Sequence, residues 1–230
     1  MNFKNLHGWN VVPQEAIRIQ KSLAKRINLC PLKPHALKRI AAVDVSFREG
    51  KSCAAVCVFR MPDFTLIEQK TLIIKTVYPY IPTLLTFREG PVVLECLKKI
   101  NTRPDLILFD GQGIVHPRRM GLATHIGIWL ELPTIGCAKT PLFGTFTIPP
   151  LQKGTFTFIK NRHEIIGAVL RTRNNIKPVF VSAGNRITLQ ESVRITLRLC
   201  RKYRLPEPLR AAHILSKTAL KNHIASQLPQ

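Results

Sequence analysis

Apolar residues recur along this chain with two spacings, and the switches between them lay out its elements. In VPQEAIRIQKSLAKRI (12–27), Ala16, Ile19, Leu23 and Ile27 return every three or four positions behind Pro13, which predicts a basic helix at the periphery. Three strand-like runs follow: RIAAVDVSF (39–47), SCAAVCVFRM (52–61) and TLIEQKTLIIKT (65–76). The connections, REGK and Met61-Pro62-Asp63, are so short that an antiparallel meander is expected. FREGPVVLECLKKI (87–100) puts Val93, Leu97 and Ile100 on one helix face, with Gly90 and Pro91 interrupting its beginning. PDLILFDG (104–111) reads as a strand, GLATHIGIWLEL (121–132) as a helix and PTIGCAK (133–139) as a short buried strand.

The carboxyl-terminal third continues with GTFTFIK (154–160) and HEIIGAVLRTR (163–173) as a hairpin, then PVFVSAGNR (178–186) as a strand. TLQESVRITLRLCRKY (188–203) opens with Thr188 three residues ahead of Glu191, the spacing of a capping box. PEPLRAAHILSKTALKN (206–222) makes a last helix that begins near Pro208 and carries His213. No repeat, low-complexity tract or long linker divides the chain. One domain is therefore expected over 1–230, with 1–38 a peripheral amino-terminal segment and 39–222 the core. The order of three antiparallel strands, helix, strand, helix, strand is that of a ribonuclease H-like α/β (α+β) fold, a mixed sheet flanked by helices.

Charge narrows the partner. Lys and Arg number 35 against 13 Asp and Glu, a net charge of +22 that includes no long lysine tract, so the positive field belongs to the folded surface. Such a field attracts polyanions, nucleic acid first, with anionic membrane surface or plain solubility as the alternatives. No apolar stretch reaches the ~18 uncharged residues of a spanning helix, because Arg60, Lys75 and Glu131 interrupt the candidates. The first residues, MNFKNLHGWNVVPQEAIRIQ, have no signal-peptide core, so a cytoplasmic location with no membrane partner is expected, and a monomer. The six cysteines form no CxxC pair and mostly sit in apolar runs, as small buried hydrophobes do in a reducing compartment.

Two acids stand out against this basic background. Asp44 lies among small and apolar residues in IAAVDVSF, and Asp110 ends DLILF. An ionised carboxylate is costly to bury without a cation or donors. If the first and fourth strands are neighbours, the two acids converge, and oxygen ligands of this kind suit Mg²⁺ or Mn²⁺. The competing readings are a turn role for Asp110 ahead of Gly111 and an arginine partner for Asp44. Glu89, in FREG, has no direction fixed by periodicity.

Five stretches together resemble endonuclease V, the deoxyinosine-directed repair nucleases: YPYIPTLLTFREGP (78–91), DGQGIVHPRRMGLATHIG (110–127), LPTIGCAKT (132–140), VSAGNRITL (181–189) and YRLPEPLRAAH (203–213). The similarity runs from about Ala41 to His213. It implies magnesium-dependent hydrolysis of a phosphodiester one nucleotide beyond deoxyinosine, on its 3′ side. It also implies that Asp44 and Asp110 bind the metal, with Glu89 a third acid that holds it through water or positions the nucleophile. His213 joins the active site and Lys139 lies beside the scissile phosphate. Pro79-Tyr80-Ile81-Pro82 is the family's wedge at the lesion, a stiff tip able to enter a base step. A pocket meeting the flipped hypoxanthine with backbone groups draws on Leu85, Gly111, Gly113, Gly136 and Leu142. His116, Arg118 and Arg119 are expected to face phosphates. Thr83 stands where many relatives have glycine, and Asn185 where a histidine is common.

DNA containing deoxyinosine is thus the expected partner, with inosine in RNA left open. Two rivals remain: another ribonuclease H-like nuclease, such as a junction resolvase or RNA-hybrid hydrolase, and a nucleic-acid-binding protein without catalysis.

Overall fold

A computed structural model describes residues 1, 3, 5–32 and 37–227. Its elements run α1 (Pro13–Ala24), β1 (Arg39–Arg48), β2 (Lys51–Arg60), β3 (Thr65–Lys75), α2 (Leu85–Lys98), β4 (Leu106–Phe109), α3 (Leu122–Leu130), β5 (Thr134–Ala138), β6 (Phe156–Asn161), β7 (Glu164–Leu170), β8 (Val179–Asn185), α4 (Leu189–Leu199) and α5 (Glu207–Ala225). The strands form one eight-stranded sheet ordered β3-β2-β1-β4-β5-β8-β7-β6. Strand β1 pairs antiparallel with β2 and parallel with β4, and β4 pairs parallel with β5. This is the mixed α/β sheet that the element order predicts, and the meander β1-β2-β3 and the β6-β7 hairpin are both present.

The central strands are buried on both faces, and side-chain alternation divides their residues between two cores. Ile40, Ala42, Leu106 and Leu108 face α4 and α5, packing with Val193, Leu199, Leu209 and Ala212. Ala41, Val43, Ile107 and Phe109 face α2 and α3, packing with Val93, Leu97, Ile126 and Trp129. The six cysteines are all free, and five of them are buried. Among the described residues no helix is long and apolar enough to cross a membrane.

Two sequence expectations are corrected. Helix α2 begins at Leu85, ahead of Gly90 and Pro91, and holds Pro91 in its interior. The burial of Leu84, Thr86 and Phe87, each at 2% exposure or less, outweighs the one hydrogen bond that proline removes. Gly90 lets the amino-terminal segment approach, since a Cβ there would lie 2.6 Å from the Trp9 ring. That segment is not peripheral either: Trp9 stacks on Trp129 at 4.8 Å, and Ala16 and Gln20 of α1 are fully buried. Residues 2, 4 and 33–36 of the expected 1–38 segment lie outside the described residues.

The capping box at α4 forms in full. Glu191 N donates to Thr188 Oγ1 at 3.2 Å, and Thr188 N donates to Glu191 Oε2 at 3.1 Å. Glu191 Oε1 also accepts from Leu32 N at 3.0 Å, which ties down the segment after α1. Thr188→Ala should therefore cost about 1 kcal/mol in urea unfolding. Glu191→Ala should cost about 1–3 kcal/mol, the larger loss, because a second backbone donor loses its partner.

Candidate active site

The parallel pairing of β1 with β4 brings two carboxylates together. Ala42 pairs with Leu108 and Val43 with Phe109, and residues two apart on a strand share a face. Asp44 and Asp110, each two positions further on, both emerge on the α5 side, Asp44 from the middle of β1 and Asp110 just past the end of β4. Helix α5 delivers His213 to the same place, so that one ligand atom from each of Asp44, Asp110 and His213 lies within 4.8 Å of the others. His213 Nδ1 is 3.2 Å from Asp44 Oδ1, and since a carboxylate oxygen only accepts, Nδ1 donates. One turn further along α5, Ser216 Oγ donates to Asp44 Oδ2 at 2.5 Å. Lys139, just past β5, forms an ion pair with Asp110 Oδ2.

Glu89 reaches this group from the opposite face of the sheet, on α2, and is 8% exposed. Burial pushes its carboxyl well above the ordinary carboxylate range, and the charges of Asp44 and Asp110 push it further against the pull of Arg88. Asp110 is also raised, by burial first, with Lys139 opposing and Asp44 adding. Carboxylates this close and this dry do not all ionise unless a cation joins them. Two carboxylates and an imidazole converging on one point form a donor set that fits a divalent cation. The expected metal set was Asp44, Asp110 and Glu89. The structure groups His213 with the two aspartates and leaves Glu89 outside that trio, its carboxyl raised in part by their charges.

A cavity of about 270 Å³ opens beside Asp110 and Lys139. Tyr80, Ile81 and Pro82 form one wall, and Leu85, Gly111 and Leu142 from the expected pocket set also line it. Pro79 and Pro82 are exposed and Tyr80 is 68% exposed, so the tip stands free. Gly113 and Gly136 are corrected: neither lines the cavity. A Cβ on Gly136 would strike the backbone of residues 111–113, and one on Gly113 the carbonyl of Ala183, so both glycines let the loop after β4 lie against β5 and β8.

The three residues expected on phosphates are engaged within the protein. His116 is 2% exposed, donates from Nε2 to Thr83 O at 2.9 Å, and accepts at Nδ1 from Arg118 N at 3.1 Å. Burial lowers its pKa to about 4, so it is neutral. Arg118 donates to Gln20 Oε1 at 2.6 Å and to Thr83 Oγ1 at 2.6 Å. Arg119 pairs with Glu164. His116 and Arg118 thus prop the base of the tip through Thr83, while Arg119 is held by Glu164 at the surface.

Comparison with known proteins decides the family. The family model described as Endonuclease V matches residues 21–214. The Endonuclease V of Thermosipho melanesiensis is 45% identical over 221 residues, covering 96% of this chain and 97% of that protein. The chain belongs to the endonuclease V family. Its fold follows that of the Bacillus subtilis Endonuclease V crystal structure, with a TM-score of 0.94 at 34% identity, over 99% of this chain and 100% of that one. It also follows Ciona intestinalis Endonuclease V in complex with a 24mer DNA containing an inosine followed by a ribo-adenosine, with a TM-score of 0.78 at 26% identity, over 91% of this chain and 98% of that one.

The two departures from the endonuclease V pattern have structural accounts. Thr83 has φ +68°, a left-handed conformation that a β-branched residue rarely adopts. It is held there by Gln20, His116 and Arg118, which all donate to its carbonyl, at 3.0, 2.9 and 3.1 Å. Asn185 joins α3 to the segment after α1, donating to Gly127 O and accepting from Asn28 N, both at 3.1 Å.

Sequence reasoning missed Ser216, Gln20 and Gln112. Ser216 had a signal, a small polar residue one helical turn from His213. Gln112 Nε2 donates to Thr140 O at 3.0 Å, which leaves Oε1 buried and unpartnered in a residue that lines the cavity. Its only sequence signal was its place between two glycines.

Glu89 and Asp110 hold protons more tightly in the folded than in the unfolded chain. Between the ordinary and the raised pKa the folded state carries the extra protons, so stability falls as pH rises through that window. In metal-free thermal melts from about pH 5 to 8, Glu89→Gln should flatten this decline and raise Tm at pH 8 by about 2–5 °C. Mg²⁺ or Mn²⁺ should raise the wild-type Tm more at pH 8 than at pH 6. A Glu89→Gln profile parallel to wild type would count against this account. Thr83→Val keeps the shape and strain but removes the acceptor for Arg118, and urea unfolding should show a loss of about 1–2 kcal/mol. Thr83→Gly should lie nearer neutral, because relief of strain offsets the lost hydrogen bond.

Proposed function

We propose that this protein is a DNA repair endonuclease that hydrolyses a phosphodiester on the 3′ side of deoxyinosine, one nucleotide beyond the lesion. The observation that carries this reading is the position of Asp110, which belongs both to the acid trio and to the wall of the neighbouring cavity. A base seated in the cavity therefore lies next to the phosphate that the acids serve. The inosine-containing DNA in the Ciona relative supports the same substrate class.

Asp44 and Asp110 would hold Mg²⁺, or Mn²⁺ as a substitute, with His213 beside them and Glu89 acting through water. Bound there, a divalent cation offsets charge on the phosphate and lowers the pKa of water from 15.7 toward about 7. Among the chain's own groups, His213 keeps Nδ1 on Asp44 and leaves Nε2 to take up or return a proton at the phosphate. Lys139 Nζ neutralises phosphate charge from its place on Asp110. Ser216 fixes the second oxygen of Asp44 and so orients that carboxylate.

For recognition, Tyr80 on its proline-stiffened tip is placed to fill the gap left in the stack. Hypoxanthine offers an N1–H donor that adenine lacks, and Gln112 Oε1, an acceptor without a partner, would meet it once the side chain turns toward the base. Guanine shares that donor and is excluded by the space its exocyclic amine needs.

The test is a nicking assay on a strand with one deoxyinosine and on its undamaged twin, with Mg²⁺ present or chelated and an inosine RNA strand in parallel. Cutting should require the metal and fall at the second phosphodiester 3′ to the lesion. Asp44→Asn and Asp110→Asn should each lower kcat by about 10³-fold or more while binding persists. Gln112→Leu should lower kcat/KM for deoxyinosine by about 10- to 100-fold. Equal cutting of both twins would sink the reading, and preference for the RNA strand would move it to inosine RNA.

A further inference from the structure

A second cavity, of about 280 Å³, is lined by the residues that lead into the tip at residues 79–82. Thr76, Val77 and Tyr78 line it, and the chain then passes through the tip to Ile81, Pro82 and Thr83, which line the first cavity. The tip thus joins the segment that lines the second cavity to the wall of the first.

The second cavity is built between the end of the β2-β3 pair, α2 and the amino-terminal segment. Trp9 and Phe87 supply aromatic wall, and Ile74, Val77 and Pro91 supply aliphatic wall. Ser52 Oγ, Thr76 Oγ1 and Tyr78 OH are buried without a hydrogen-bond partner, and all three residues line this space. Ser52 is 1% exposed and Tyr78 8%. A buried hydroxyl without a partner costs about 1–3 kcal/mol, so a polar occupant toward which these three side chains turned would be favoured. Lys75 and Arg88 stand at the same cavity, and among the described residues that line it none is acidic. Arg88 is steadied by a 2.9 Å hydrogen bond to Tyr78 O and by the Phe47 ring, 4.4 Å from its guanidinium carbon.

Aromatic walls, clustered hydroxyls and two cations without an acid match a flat, hydrogen-bonding ring that carries a phosphate. The volume is just under the ~300 Å³ at which pockets for drug-sized ligands begin, so the occupant is one ring system. We propose that this cavity is a second base-binding site, which takes an unstacked nucleobase of the same nucleic acid whose lesion base enters the first cavity, with Arg88 and Lys75 on its phosphate. Two bases can supply this chemistry: the one left without a partner opposite the lesion, and the lesion's 3′ neighbour. The proposal uses the deoxyinosine reading only to choose the oligonucleotide.

The experiment is photocrosslinking of the Asp110→Asn protein to deoxyinosine duplexes that carry 5-iodouracil either opposite the lesion or at its 3′ neighbour, followed by peptide mapping. A crosslink at Trp9, Tyr78 or Phe87 from one position supports the site and names the source. Crosslinks from both positions that map only elsewhere overturn it. In parallel, Thr76→Val/Tyr78→Phe, which removes two hydroxyls and keeps the shape, should weaken binding of the same duplex about tenfold, and Ser52→Ala should weaken it in the same direction. Unchanged binding in all variants also overturns the proposal. If the deoxyinosine reading is the part that fails, damaged and undamaged duplexes will be cut alike, and the crosslink at the second cavity will appear with both.

Discussion

The constraint on which this molecule turns is the burial of negative charge on the central strands of its sheet. Parallel pairing of β1 with β4 sets Asp44 and Asp110 on one face, and α2 brings Glu89 against them from the other side. Three carboxylates in so little solvent repel one another, and burial first, then the neighbouring charges, raises Glu89 and Asp110. The fold relieves only part of this, with a histidine and a serine on Asp44 and a lysine on Asp110. The remaining deficit of positive charge is what a divalent cation would supply. A chain of net charge +22 that collects acids at one point is thereby poised to bind both a metal and the polyanion the metal acts on.

A second tension sits at the tip. Tyr80 stands 68% exposed between Tyr78 and Leu84, which are both buried. The protein anchors the base of the tip with buried polar groups: Gln20 from α1, and His116 and Arg118 from the loop after β4, all converge on the carbonyl of Thr83. This network fixes a residue in a strained conformation, and it explains why groups that look like phosphate ligands face inward. Because α1 belongs to the network, the amino-terminal segment is part of the active architecture.

The sequence by itself determined the strands, the capping box, the meander and the family. Each follows from local periodicity or from motifs in which neighbours in the chain are also neighbours in space. It also marked Asp44 and Asp110, because a lone acid inside an apolar strand violates the local pattern and so demands a reason. Tertiary structure alone decided what surrounds them. Whether His116 meets phosphate or Thr83 O depends on a segment 33 residues away, and Ser216 meets Asp44 across 172. The start of α2 was misread for the same reason, since Pro91 and Gly90 are local signals while the burial that overrides them comes from α1 and Trp9. Propensity and spacing act within a few residues, whereas burial and hydrogen bonding are set by contacts far apart in the chain, and those contacts exist only once it has folded.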